Sequence, residues 1–234
     1  MGHEISTPRP ILMMLAISLA ALAACGGPPS SPTALLRQAK QAVDGASSAH
    51  FQLRSSGAVG SGTALIGGEG DIKRPDGFHG TLQVSASGFD VEVPVVSVGG
   101  AFYARDPLTG RWTKTNPASY GFGDPAQLAS PQHGLSSLLL LCQSPTLKDD
   151  DRYNGAQLHE VGCALPGHAV AALLTSAAPS QPVAATFGID AVSGQLRRVV
   201  LNGPFYNATS PSTFTLVVVN YGENVSITPP PTGS

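Results

Sequence analysis

Charged residues are scarce in this 234-residue sequence, because Asp, Glu, Lys and Arg together make up only 12% of it, about half of the usual share. The formal net charge is −2, so the chain has no surplus of positive charge with which to bind nucleic acid. Apolar residues make up 42%, which argues against disorder driven by charge. Aromatic residues reach only 6%, so aliphatic side chains must supply most of the core.

The sequence also lacks an apolar run as long as the ~20 residues that a membrane-spanning helix needs. Its main apolar run, Ile11 to Ala23, fits the apolar region of a secretory signal instead. The run ends in Leu22-Ala23-Ala24-Cys25, which matches the bacterial lipobox, in which small residues precede a Cys that accepts a diacylglyceryl group. The alternative is an ordinary signal in which a Cys happens to fall at this position. We expect lipidation of Cys25, which would anchor the chain to the cell membrane on its extracytoplasmic, periplasmic side.

These features divide the chain into four segments. We expect a lipoprotein signal peptide over residues 1–24, then the lipidated Cys and a flexible tether over residues 25–31, which are rich in Gly, Pro and Ser. A single domain is expected over residues 32–228. The Pro-rich residues 229–234 form an exposed tail.

The spacing of apolar residues predicts both helices and strands. Apolar residues recur at helical spacing from Leu35 to Val43, after Ser31 and Pro32, which suit an N-cap and a first helical position. From His50 onward the period changes to two, which is typical of half-buried strands. Pro94 falls inside one such run, so we expect that strand to lie at an edge or to be bulged there.

The remaining segments complete an α+β pattern. The Gly-rich residues 57–70 contain no phosphate-binding motif and are predicted to form a flexible hairpin. Residues 124–141 are predicted to be helical in two pieces, broken at Pro131, and residues 166–177 to form another short helix. Runs of strands at hairpin spacing with a few interleaved helices predict an antiparallel sheet, curled and with helices against one face.

Two cysteines remain after Cys25, and they have two possible roles. Cys142 and Cys163 would form a disulfide in an oxidising compartment. Alternatively, the two thiols could bind a metal together with His159 and His168, but this spacing matches no zinc signature. The compartment and the spacing favour a structural disulfide, and we expect neither a metal nor a cofactor.

Motifs for nucleophilic catalysis are absent from the sequence, so we expect a protein that is not an enzyme. A catalytic triad need not be close in sequence, and a hydrolase with dispersed residues is therefore the weakest of the alternatives. What remains is abundant aliphatic surface, which either fills a core or lines a cavity suited to acyl chains, since their burial is non-directional. Periodicity alone does not separate these two arrangements.

Several segments follow one another along almost the whole predicted domain, and they are Leu35 to Val43 with Ser48-Ala49-His50-Phe51, Gly68-Glu69-Gly70-Asp71-Ile72, Gly99 to Trp112, Leu128 to Leu139, and Thr215 to Pro229. In this order they resemble the LppX/LprAFG lipoproteins of mycobacteria and their relatives. The resemblance implies a half-barrel of antiparallel strands with helices over its concave face, enclosing a large hydrophobic cavity. It also implies binding of acylated lipids or glycolipids and their carriage toward the outer envelope.

We therefore expect a membrane-anchored lipid carrier, with a membrane lipid exporter as a possible partner. The alternative is a non-catalytic envelope lipoprotein with a filled core that binds a protein partner. A hollow larger than ~1,000 Å³ would favour the carrier. The residues predicted to line the cavity are Leu82, Val84, Val91, Val93, Phe102, Leu138, Leu139 and Leu141.

Overall fold

The computed structural model, which describes residues 1–3, 31–57, 62–120, 122–207 and 210–232, is organised around one antiparallel sheet. Within these residues the sheet has twelve strands. They are β1 (Ser48–Ser56), β2 (Ala64–Lys73), β3 (Gly77–Ala86), β4 (Phe89–Val98), β5 (Ala101–Arg105), β6 (Trp112–Lys114), β7 (Gln143–Leu147), β8 (Asp151–Tyr153), β9 (Ala156–Leu165), β10 (Val183–Asp190), β11 (Leu196–Gly203) and β12 (Ser212–Val219).

The sheet is open, with β6 at one edge and β7 and β8 at the other. The strand order is β6-β5-β4-β3-β2-β1-β12-β11-β10-β9-β7, and β8 pairs with β9 beside β7. The first and last strands join the two halves of the sheet, because β1 pairs with β12 from His50 opposite Val219 to Ser56 opposite Thr213. The result is the curled, half-barrel arrangement that the sequence predicted.

Three short helices and two 3-10 turns accompany the sheet in the described residues. Helix α1 (Pro32–Gly45) begins as predicted, because the Ser31 hydroxyl accepts a hydrogen bond from the Ala34 amide at 3.2 Å. Helices α2 (Leu135–Leu140) and α3 (Gly167–Ala171) each have fewer than two turns. The 3-10 turns are Pro117–Tyr120 and Pro125–Ala129.

The two faces of the sheet differ in polarity. On the concave face, Leu82 lies opposite Val93 and Val84 opposite Val91, and apolar pairs of this kind build the core. The convex face carries polar side chains such as Gln52 and Arg54. Because successive residues of a strand point to opposite faces, the alternating sequence pattern is what gives the sheet one apolar side.

Two details of the sheet refine the sequence predictions. Strand β5 pairs with β4 only from Val95 onward, so Pro94 lies where β4 has no neighbour on that side, in agreement with the predicted edge position.

The prediction of a flexible hairpin over residues 57–70 was wrong from Ala64 onward, where β2 begins. Glycine is needed there because a Cβ at Gly70 would lie 2.5 Å from the His79 carbonyl oxygen. Residues 58–61 lie outside the described residues.

Strands β7 and β8 were missed by the sequence analysis, because their residues are mostly exposed and carry no alternating pattern of burial. None of the helices in the described ranges is long and apolar enough to cross a membrane. The apolar run from Ile11 to Ala23 and the proposed lipidation residue Cys25 lie outside the described residues.

The buried aromatic residues make a direct test of the core. Phe187 is completely buried on β10, whereas Phe89 at the start of β4 is 74% exposed. We expect Phe187→Ala to lower the free energy of unfolding by about 3–5 kcal/mol, because it leaves a cavity in a packed interior. Phe89→Ala, the matched control, should change it by less than about 0.5 kcal/mol. Chemical denaturation would measure both, and equal effects would contradict this assignment of the core.

Candidate binding cavity

An apolar cavity lies between the concave face of the sheet and the short helices. Its floor is formed by five strands in the middle of the sheet, with side chains from Phe51, Leu53, Leu65, Phe78, Leu82, Val199, Leu201, Phe214 and Leu216. Its cover is formed by the segment from Phe122 to Leu128, by α2 and by α3 with the residues that follow it. The cavity holds about 870 Å³ of empty space, a figure that includes the part of its mouth open to solvent.

The hollow depends in part on glycines in β2. Gly68 and Gly70 both lie on the floor, where a residue with a side chain would project into the interior. A Cβ at Gly68 would lie 2.8 Å from Cδ2 of Leu82, and a Cβ at Gly70 would lie 2.8 Å from the ring of Phe78. Side chains from β3 therefore lean over β2, and β2 itself contributes little volume to the interior at these two positions.

Half-buried leucines surround the parts of the cavity that reach the surface. Leu53 and Leu216, which lie opposite each other on β1 and β12, are only partly buried although they point inward. Leu173 and Leu174 are likewise half-buried beside the loop at Gly123. An apolar mouth of this kind lets a hydrocarbon chain pass from solvent or a membrane into the interior without crossing a polar barrier.

The lining carries little charge. Among the described lining residues, Glu69 and Asp124 are the ionisable ones, and both are acidic. The Asp124 carboxylate accepts a hydrogen bond from the Ala126 amide at 2.9 Å and so caps the 3-10 turn at the mouth. The lining thus offers apolar contact to a ligand, and its described residues place no cation where an anionic group would bind.

One buried phenol supports the floor from outside the lining. Tyr206 packs against Phe214 and donates a hydrogen bond to the Leu65 carbonyl oxygen at 2.5 Å. Burial raises the pKa of Tyr206 to about 12, so the hydroxyl is protonated at neutral pH and serves as a donor. It therefore holds together two parts of the wall, on β2 and β12.

The residues predicted to line the cavity divide into three groups in the structure. Leu82 and Leu138 line the cavity. Leu141 is 41% exposed just after α2. The others belong to the same apolar core without reaching the cavity, and they are Val84, Val91, Val93, Phe102 and Leu139.

Sequence reasoning missed most of the floor. The strands β1, β11 and β12 were all anticipated, but their inward residues, such as Phe51, Val199 and Leu216, were not assigned to the cavity. Alternation identifies one apolar face per strand, and that signal was present in all three strands. What the alternation lacks is any indication of which part of the apolar face is covered by another side chain and which part faces empty space.

Cys142 and Cys163 form a disulfide, with Cα atoms 5.5 Å apart. Cys142 lies two residues after the end of α2 and Cys163 lies on β9, so the bond attaches one end of the cavity cover to the sheet. The alternative metal set is not assembled, because both thiols are used in the disulfide and His159 pairs with the Asp150 carboxylate at 3.0 Å. No cluster of metal-binding side chains occurs among the residues that the structure describes.

The volume of the cavity does not by itself select the carrier over a filled core. Its empty space of about 870 Å³ includes open solvent at the mouth, so the enclosed volume is smaller still and lies below the ~1,000 Å³ threshold set from the sequence. The chemical character of the lining residues is more informative than the volume. A nearly uncharged cavity with an apolar mouth, enclosed by an open half-barrel and short helices, defines a class of domain that is built around an internal apolar space.

Comparison with known proteins identifies the family within that class. The model of the LppX_LprAFG lipoprotein family matches residues 31–227, and the chain belongs to this family. Membership in a lipoprotein family implies an envelope-associated, lipid-anchored protein. The resemblance found in the sequence and the predicted fold are thereby confirmed.

Individual relatives agree in sequence and in fold. The lipoarabinomannan carrier protein LprG of Mycobacterium tuberculosis (strain ATCC 25618 / H37Rv) is 27% identical over 235 aligned positions, which cover 95% of this chain and 96% of the relative. The crystal structure of LprF from Mycobacterium bovis has a TM-score of 0.68 at 17% identity, over 89% of this chain and 100% of that one. That of Mycobacterium tuberculosis lipoprotein LppX has a TM-score of 0.61 at 18% identity, over 84% and 98%.

The disulfide predicts a measurable contribution to stability. The two cysteines are 21 residues apart, and closing a loop of that size stabilises the folded state by about 3 kcal/mol in the chain-entropy model. We expect the double substitution Cys142→Ser and Cys163→Ser to lower the free energy of unfolding by about this amount, as measured by urea denaturation. Wild-type protein treated with a reductant is the control and should behave in the same way. A variant as stable as the oxidised wild type would contradict the prediction.

Proposed function

We propose that this protein is a membrane-anchored carrier that binds acylated lipids or glycolipids in its apolar cavity and helps to move them across the cell envelope. The observation that carries the proposal is the cavity itself, which is almost free of charge and reaches the surface between half-buried leucines. Membership in the LppX_LprAFG family and homology to a protein named as a lipoarabinomannan carrier support it independently.

The physical basis of binding is the burial of hydrocarbon. Each CH₂ group transferred from water into the cavity contributes about 0.8 kcal/mol, and this contribution does not depend on precise orientation. The acyl chains would therefore lie among the floor and cover residues, and a polar headgroup would stay at the mouth. A carrier needs this reversible, non-directional kind of binding, because it must release what it has bound.

The proposed anchor places the cavity close to a membrane. Five residues lie between Cys25 and Ser31, the N-cap of α1, and the six Cα–Cα steps of that segment span at most ~20 Å. With Cys25 lipidated after removal of residues 1–24, the domain formed by residues 32–228 would remain near the outer leaflet of the inner membrane, on the periplasmic side. In this arrangement it would take up lipid there, and a membrane lipid exporter is the partner that we propose for delivery.

The proposed carrier acts without catalysis. Its lining residues are almost all aliphatic or aromatic, and the two acidic ones do not face a nucleophile among the described lining residues. The second candidate, a partner-binding envelope lipoprotein, is favoured by one observation, because the empty volume is below ~1,000 Å³. The two proposals differ in whether lipid occupies the interior.

Mass spectrometry of the purified domain tests the proposal directly. Residues 26–234, which lack Cys25 and its acyl groups, would be produced in a bacterium that makes mycolic acids and analysed by native mass spectrometry and by organic extraction. Co-purification of acylated lipid at about one molecule per protein would support the carrier and identify the lipid. Protein that carries no lipid and also fails to take up triacylated lipids would exclude the carrier in favour of the partner-binding lipoprotein.

Adjacent residues on β12 provide a matched pair of variants. Leu216 points into the cavity, whereas Thr215 points to the convex face opposite Arg54. We expect Leu216→Trp to weaken binding of a pyrene-labelled diacylglycerol at least about tenfold, because the indole fills space that an acyl chain needs. Thr215→Trp should bind as the wild type does, within about twofold. Fluorescence titration measures both affinities, circular dichroism confirms folding, and equal affinities would contradict the location of the binding site.

A further inference from the structure

The cover of the cavity is attached to α1 by a cluster of polar side chains. The Ser136 hydroxyl on α2 donates a hydrogen bond to Oδ1 of Asp44 at 2.6 Å. The Lys40 ammonium group lies 2.7 Å from Oδ2 of the same carboxylate and donates a hydrogen bond to the Pro131 carbonyl oxygen at 3.0 Å. Ser136 is almost completely buried, whereas the Asp44 carboxylate is partly exposed, so this contact lies at the edge of the interior.

Arg74 extends the cluster to the other part of the cover. Its guanidinium group lies 3.5 Å from Oδ1 of Asp44 and also donates hydrogen bonds to the Val43 and Ala129 carbonyl oxygens. Ala129 ends the 3-10 turn Pro125–Ala129, which contributes Leu128 to the cavity lining. One carboxylate on α1 thus connects to α2 through a serine and to the 3-10 turn through an arginine.

Helix α2 depends on such contacts for its position. It has six residues, and its N-cap is Gly134, which supplies no side-chain hydrogen bond. A helix of this length does not form by itself in water, so its tertiary contacts must hold it in place. On its cavity side it presents Leu135 and Leu138, which line the cavity and, together with Leu139, are buried in the apolar core.

The two ends of α2 are attached in different ways. Its first turn is held by non-covalent contacts that include the hydrogen bond from Ser136 to Asp44, and its last residue lies two positions before Cys142, which is bonded covalently to Cys163 on β9. A hydrogen bond to a charged group changes an equilibrium constant by roughly tenfold to a hundredfold, which is small enough to be broken often. A covalent bond stays closed in an oxidising compartment.

We propose that α2 is a hinged cover, in which the Ser136–Asp44 contact is a latch and the Cys142–Cys163 disulfide is the hinge. Release of the latch lets the first turn of α2 move away from α1 and widens access to the cavity for ligands with several acyl chains. This inference rests on the proposed carrier function, since it assigns to Ser136 and Asp44 control over the rate at which lipid enters and leaves. They are positioning residues and do not contact the ligand.

Two neighbouring serines on α2 allow a matched test. Ser136→Ala removes the latch, whereas Ser137→Ala removes a hydroxyl that bonds only within the same segment, to the Gly134 carbonyl oxygen at 2.7 Å. With pyrene-labelled diacylglycerol, stopped-flow fluorescence would give the rate of uptake, and transfer to phosphatidylcholine vesicles would give the rate of release. We expect Ser136→Ala to raise both rates about tenfold and to leave the equilibrium affinity within about twofold, because the latch closes the cover with and without ligand.

Rates equal to those of Ser137→Ala would overturn the latch. A change in only one of the two rates, with a correspondingly changed affinity, would also overturn it, since that outcome assigns Ser136 to the shape of the cavity. Asp44→Asn provides a second variant, which removes the charge from the same contact and should accelerate exchange in the same direction. If Ser136→Ala fails to fold, the uptake and release rates of Asp44→Asn decide whether the latch exists.

Hydrogen exchange separates failure of the latch from failure of the carrier function. Amides in residues 125–141 should exchange about tenfold faster in Ser136→Ala than in Ser137→Ala, with no ligand present. If the wild type binds no labelled lipid, the carrier function is wrong, and hydrogen exchange still decides whether the latch exists. Equal exchange in the two variants would overturn the hinged cover whatever the outcome of the lipid measurements.

Discussion

The rest of the structure depends on one constraint, which is that the apolar face of the sheet is much wider than the elements available to cover it. Eleven strands lie side by side, and at ~4.8 Å per strand they extend over roughly 50 Å. Helix α1 has 14 residues and is about 21 Å long, whereas α2 and α3 have six and five residues, so each of these two is less than ~10 Å long. The sheet must therefore curl to bury its apolar face against itself, and the short cover leaves a space that neither layer fills.

This geometry agrees with the composition of the chain. A sequence with few aromatic residues has few large side chains with which to fill the interior of a wide half-barrel, and its low charge agrees with the small number of ionisable groups in the cavity lining. The charged cluster of Lys40, Asp44 and Arg74 lies behind the cover and away from the lining. Polar contacts thus hold the cover in position, and apolar side chains line the cavity.

The sequence was sufficient for most elements of the fold but only partly for the cavity. The alternation in β10 to β12 and the capping signal at Ser31 depend on neighbouring residues, and such local patterns are readable without a structure. Strands β7 and β8 are exposed and pair with β9 through the backbone, so their side chains carry no alternating pattern that would predict a strand. Of the predicted lining residues, Leu82 and Leu138 reach the cavity, whereas Val93 packs at 3% exposure in the core.

Whether an inward-facing residue lines the cavity or packs in the core depends on its neighbours on the adjacent strands. Periodicity within one strand therefore does not reveal it. Phe78 and Leu82 on β3 lean over Gly70 and Gly68 on β2, while on the other side of β3 Val93 and Val95 have side chains of their own that pack against their neighbours. The same alternating pattern therefore gives a filled interior near β4 and a hollow one near β2. Gly68 and Gly70 thus separate the hollow part of this interior from its packed part, and their effect depends on which residues the register places beside them.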